Sequence, residues 1–218
     1  MCGIVAFYDP KINDKQAVIG EMMATIKHRG PNSDGYYIND EVALGFRRLS
    51  IIDLRGGSQP IYNEDKSRAI IFNGEIYNFK PLREELIKAG HVFTTKADTE
   101  VLLHGYEEWG MDGLLKRVRG MFAFFIWDDN NKTLYGARDF FGIKPLYYSD
   151  QDGHLLVGSE LKSFLKFPKF KRELNVEAVK PYLMNQYNDL EETFFKGVYR
   201  FPAGHWFEYK DGEMKTHQ

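Results

Sequence analysis

The chain has 218 residues, with Lys plus Arg at 29 and Asp plus Glu at 31, giving a formal net charge of −2. That length suits one large domain or two small ones, and the charge balance excludes a generally basic binder of nucleic acid or membrane surfaces. Apolar residues make up 43% of the chain, with 17 Phe and 13 Tyr, so a real core can form and a disordered segment is excluded.

Gly3 to Tyr8 reads as a buried strand closed by Asp9-Pro10. Asp14 can cap a helix over residues 15–28, with Val18, Met22 and Ile26 on one face and Gly30-Pro31 as the stop. Strands are expected at Val42–Phe46, Leu49–Ile52 and Ala69–Phe72. Helices are expected at Lys80–Ala89, ended by Gly90, and from Asp98 to Gly110. Hairpins follow: Met121–Trp127 with Thr133–Ala137, then Leu146–Tyr148 with Leu155–Val157, and a third turn at Asp211-Gly212 after Trp206–Tyr209. Asn175–Asn185 reads as a weaker helix, and the basic stretch from Lys162 to Arg172 as a solvated loop. Strands in hairpin order imply antiparallel sheets with helices packed outside, an α+β fold. No repeat or composition shift divides the chain, so residues 1–218 are expected to form one domain.

The single cysteine, Cys2, removes internal disulfides and Cys-based zinc clusters and suits a reducing compartment. No apolar run approaches the ~18 residues of a membrane span, and the start lacks a secretory leader's pattern. A soluble cytoplasmic protein is expected. A lone cysteine is ordinarily a small buried hydrophobe, but position two changes its chemistry. Loss of Met1 would give Cys2 a free α-amine, whose pKa of about 7.7–8.0 lies close to the thiol's ~8.5. One residue then supplies both nucleophile and base. A Cys–His pair drawn from six histidines is the competing arrangement, without local support.

Met1-Cys2-Gly3-Ile4-Val5, His28-Arg29-Gly30-Pro31 and Ser33-Asp34-Gly35 resemble the class II glutamine amidotransferases, which are N-terminal nucleophile hydrolases. Arg48-Leu49-Ser50-Ile51-Ile52-Asp53, Gly57-Ser58-Gln59-Pro60, Asn73-Gly74-Glu75-Ile76-Tyr77-Asn78 and Asp98-Thr99-Glu100-Val101 are similar to the asparagine synthetase branch. Gly120 to Phe124, Arg138-Asp139 and Gly142 to Tyr148 extend the likeness over essentially the whole chain.

The resemblance implies a four-layer αββα sandwich of two antiparallel sheets and hydrolysis of the glutamine side-chain amide to glutamate and ammonia. It implies Cys2 as the nucleophile, with the Asn73 amide and the Gly74 N–H as the oxyanion hole. Arg48 would hold the substrate carboxylate and Asp98 its ammonium. Leu49, Ser50, Ile51, Ile52 and Glu75 would complete the pocket. No metal or cofactor is expected in this domain: ATP and magnesium would belong to a C-terminal synthetase domain that is absent from these residues. L-Glutamine and that synthetase domain are the implied partners, with no nucleic acid or membrane partner; a homodimer is left open. Other acceptors, such as a sugar carboxylate, and a silent module of the same fold are the alternatives. The plainer readings also stand: Asn73-Gly74 as a hairpin turn, Asp98 as a helix cap, Arg47 and Arg48 as surface residues, and His28-Arg29 as structural.

Overall fold

The computed structural model describes residues 1–50, 57–185 and 191–218. In chain order its strands are β1 (Gly3–Tyr8), β2 (Ser33–Ile38), β3 (Val42–Arg48), β4 (Ile61–Tyr62), β5 (Arg68–Ile76), β6 (Gly120–Asp128), β7 (Thr133–Arg138), β8 (Tyr147–Gln151), β9 (His154–Gly158), β10 (Tyr199–Arg200), β11 (Trp206–Lys210) and β12 (Glu213–His217). Its helices are α1 (Lys15–Thr25), α2 (Phe79–Ala89), α3 (Thr99–Arg117) and α4 (Val176–Asn185).

Among the described residues the strands form two antiparallel sheets, ordered β10-β8-β9-β1-β3-β2 and β12-β11-β7-β6-β5-β4. Ile4, Ala6, Val42, Leu44 and Phe46 of the first sheet meet Ile71, Phe125, Trp127 and Phe207 of the second in one buried core. The opposite face of the first sheet, with Val5, Phe7 and Ala43, packs on Ile19, Met22 and Met23 of α1. The outer face of the second, with Ile70, Phe72 and Phe124, packs on Val101 and Leu102 of α3 and Leu86 of α2. Both sheets are therefore buried on two faces, which is why β1, β3 and β6 read as continuous apolar runs and not as alternating ones. The result is the expected α+β sandwich, helix–sheet–sheet–helix.

Several boundaries differ from expectation. Asp14 does cap α1, accepting from the Ala17 N–H at 2.9 Å, but the helix ends at Thr25 and a single tight turn, Lys27–Arg29, follows. β3 runs on through Arg47 and Arg48, so no new strand begins at Leu49; Ile51 and Ile52 lie outside the described residues. Strand β2 was not anticipated, since Ser-Asp-Gly has little strand propensity and gains its place by pairing as an edge with β3. Helix α3 continues past Gly110, whose φ of 65° breaks its geometry. In the basic stretch, Leu161–Lys166 form a short 3₁₀ helix. Its lysines are paired: Lys166 with Glu21, Lys169 with the buried Asp9 and Lys171 with Asp152.

Candidate functional site

Strand parity assembles the site. Side chains two apart share a face of a strand, and the core-facing rows are Ile4, Ala6 and Tyr8 on β1, Val42, Leu44 and Phe46 on β3, and Ala69 and Ile71 on β5. Continued by one step, those rows reach Cys2, Arg48 and Asn73. The ends of β1 and β3 and the middle of β5 thus deliver a thiol, a guanidinium and an amide to one end of the inter-sheet core. There a cleft of about 110 Å³ is lined by these three with Gln59, Gly74, Glu75, Asp98, Thr99, Met121 and Lys144.

Cys2 is partly buried at the mouth of the core. Its thiol donates to the Leu49 carbonyl at 3.6 Å, and the Leu49 N–H points back at Sγ at 3.4 Å. Arg29 Nε donates to the Cys2 carbonyl at 3.0 Å, and its guanidinium is held in turn by Glu160 at 3.1 Å. Ser50 sits beside this, its N–H on Asn32 Oδ1 at 3.0 Å.

The second sheet supplies donors. Asn73 is 1% exposed, and its Nδ2 has no hydrogen-bond partner among the described residues. Such an orphaned buried donor is rare in folded proteins and calls for an acceptor. Gly74 pairs with Phe122 of β6, but the Phe122 backbone bonds to Asp139 on its other side. The ladder's alternation therefore sends the N–H groups of Phe72, Gly74 and Ile76 to the free edge of β5. That of Phe72 meets Gln59 Oε1 at 2.6 Å and that of Ile76 meets Asp98 Oδ2 at 2.8 Å. The Gly74 N–H lies between them and faces the cleft. A Cβ at Gly74 would run into the Met121 carbonyl and approach the Phe122 Cα at 2.8 Å, so close strand packing demands glycine here.

Asp98 occupies the N-cap position of α3 but makes no cap bond with its side chain; the carboxylate serves Ile76 instead. Burial, reinforced by the charge of Glu75, raises its pKa above the usual aspartate value. A cation placed in the cleft would relieve that cost. Arg48, buried, and Lys144, buried, put positive charge on the same cleft, so it presents both signs.

A family model described as a glutamine amidotransferase domain matches residues 1–218. The chain belongs to the glutamine amidotransferases. Glutamine-hydrolysing asparagine synthetase 1 of Bacillus subtilis is 43% identical over 219 residues, which cover 98% of this chain and 34% of that protein. Two solved structures share the fold at low identity. One, titled as the allosteric regulatory enzyme of purine biosynthesis, has a TM-score of 0.75 at 19% identity, covering 100% of this chain and 49% of the other. The other is glutamine phosphoribosylpyrophosphate amidotransferase of Bacillus subtilis, with a TM-score of 0.70 at 18% identity and the same coverages. The chain spans about a third of the length of the curated asparagine synthetases it matches.

Of the residues named from sequence, Cys2, Arg48, Leu49, Asn73, Gly74, Glu75 and Asp98 all line this amidotransferase cleft. Ser50 stands one residue outside it, and Ile51 and Ile52 lie outside the described residues. The plainer readings fail for Asn73-Gly74, which lies mid-strand and not in a turn, and for Arg47 and Arg48, which are buried. His28 and Arg29 both bond to Glu160, and through Arg29 that pairing reaches Cys2. Gln59, Thr99, Met121 and Lys144 were not foreseen as lining residues. A lysine inside the apolar run Ile143–Leu146 and a glutamine preceding a proline beside β4 were the available signals.

Proposed function

We propose that this chain hydrolyses the side-chain amide of glutamine to glutamate and ammonia through a thioester on Cys2. Removal of Met1 would free the Cys2 α-amine to accept the thiol proton, matched within about one pKa unit. The sulfur attacks the amide carbon, and the carbonyl electron pair moves onto oxygen. Asn73 Nδ2 and the Gly74 N–H are the donors for that oxyanion, positioned before charge develops. Collapse of the intermediate expels ammonia, which takes its proton from the α-ammonium. Water, deprotonated by the same amine, then cleaves the thioester. Arg48 meets the substrate α-carboxylate as a planar fork, and Asp98 meets its ammonium. Arg29, on the Cys2 carbonyl, fixes the nucleophile against the Leu49 backbone.

The observation that carries this reading is the buried Asn73 amide, without a partner among the described residues, at the end of the core that also holds Cys2. In a longer protein of the relatives' size, the ammonia would feed ATP-dependent asparagine formation. ATP, magnesium and the choice of acceptor, aspartate or another carboxylate, would reside in that further segment. The test uses the chain with Met1 removed, treated with a diazoketone analogue of glutamine. Intact mass is expected to gain one adduct, located at Cys2 and absent in Cys2→Ala, and glutamine is expected to yield glutamate in the untreated protein. A processed chain that takes up no adduct would sink the reading.

A further inference from the structure

A second constellation lies where the segment after β4, the end of α2 and the middle of α3 meet, and plays no part in the chemistry above. Glu64 follows β4, His91 follows the left-handed cap Gly90 of α2, and His104 and Glu107 sit one turn apart on one face of α3. One ligand-capable atom from each lies within 4.8 Å of all the others. We propose that Glu64, His91, His104 and Glu107 form a binding site for a divalent transition metal of the zinc class.

The distances suit such an ion. Tetrahedral zinc with N and O ligands at about 2.0–2.1 Å sets its ligands roughly 3.4 Å apart. Here His104 Nδ1 is 2.9 Å from Glu107 Oε2 and 3.8 Å from Glu64 Oε2. His91 Nδ1 is 3.8 Å from Glu107 Oε2 and 3.9 Å from Glu64 Oε1. Both imidazoles turn the same nitrogen to the centre, and each has a carboxylate behind it. Glu108 Oε2 lies 3.3 Å from His91 Nε2, and Glu100 Oε1 lies 3.8 Å from His104 Nε2. The Glu108 carboxylate, within hydrogen-bond reach, would fix the tautomer of His91 and raise its basicity toward a metal; Glu100 stands near His104 without bonding to it. The carboxylate ligands are held too: Glu107 Oε1 accepts from Asn63 at 2.7 Å and Arg68 at 3.0 Å, and Glu64 Oε1 accepts from the Val92 N–H at 2.9 Å.

Charge favours the same conclusion. Glu64, Glu100, Glu107 and Glu108 surround the two rings, and the Arg68 guanidinium pairs with Glu107. A dication between the two rings, whose centroids are 5.0 Å apart, would answer these carboxylates. Imidazole and carboxylate donors together select zinc-class ions over magnesium or calcium. The ion would tie the segment after β4, the end of α2 and the middle of α3 together, and α3 carries Asp98 at its start. Its role is to hold that helix in place, since the four ligands complete a closed structural site.

The test uses the untagged 218-residue chain in a Cys2→Ala background, so that the thiol cannot take the ion. After chelator treatment and buffer exchange it is titrated with Zn²⁺ alone. One equivalent is expected to remain through gel filtration and to raise the melting temperature, and Co²⁺ is expected to give the intense visible bands of tetrahedral coordination. His91→Ala and Glu64→Gln, both at the accessible rim, are expected to keep the fold and weaken Zn²⁺ binding by more than about 100-fold. That exceeds the ~10–100-fold typical of losing a mere outer partner. No retained zinc, or zinc held equally well by both variants, would overturn the proposal.

Discussion

Asn73 couples near-complete burial to an amide nitrogen that meets no acceptor among the described residues. A donor in that state costs the fold free energy, so its removal separates catalysis from stability. Asn73→Ala is expected to lower kcat for glutamine hydrolysis by about 10²–10³, some 2.7–4 kcal/mol of barrier, with a far smaller change in KM. Urea unfolding of the same variant is expected to show stability equal to the parent or slightly above it. A large rise in KM with kcat intact would move Asn73 out of the oxyanion hole. Asp98 makes a different prediction. Binding of the substrate ammonium needs an ionised carboxylate, and burial beside Glu75 raises the pKa, so the neutral acid persists to higher pH than in a free aspartate. KM for glutamine is therefore expected to rise as pH falls through that raised value. Asp98→Asn is expected to show a high KM with this acid limb gone; an unchanged limb in the variant would assign the titration elsewhere.

At the scale of the element, much of the site was written in strand parity. Val42, Leu44 and Phe46 face the core, and the same alternation carries Arg48 inward. The sequence reading broke that strand at Phe46 because two arginines look like a surface, and burial of charged residues depends on partners that are remote in the chain. Arg47 finds Asp34 across the ladder on β2, a strand that the sequence did not announce. Asp98 shows the same limit: its cap position was legible, but its bond to Ile76 needed β5 to lie alongside α3. Gly74 is the position where strand packing and chemistry meet. Gly74→Ala would push β5 off the Met121 carbonyl and tilt the one edge N–H that faces the cleft. A loss of about 1–3 kcal/mol in urea unfolding, typical of overpacking, is expected together with a fall in kcat. A variant as stable as the parent would mean that β5 and β6 separate more easily than their contact implies.

Over the whole molecule, strands in hairpin order announced antiparallel sheets with helices outside, because that pattern follows local strand and turn rules, while the four-layer sandwich and its site residues came from the family resemblance. What lay beyond local rules was the outer surface. Phe140 and Phe141 are 78% and 80% exposed, and with Ile143 and Tyr77 they rim an apolar concavity that shares β6 with the cleft holding Cys2. Gly120 and Phe122 line the concavity while Met121, between them, lines the cleft. A contiguous exposed apolar patch marks an interaction surface, and the relatives carry roughly twice this chain's length in further sequence. The occupant expected there is the synthetase segment that would receive the ammonia. Phe140→Ser combined with Phe141→Ser is expected to leave the chain's stability within about 0.5 kcal/mol, as for other exposed positions, and its uncoupled glutaminase rate unchanged. Mixed with a synthetase segment supplied as a separate polypeptide, the parent is expected to form a complex in sedimentation and the double variant to fail. Equal association of the two would place the docking face elsewhere on the sandwich and leave the aromatic pair without a role in it.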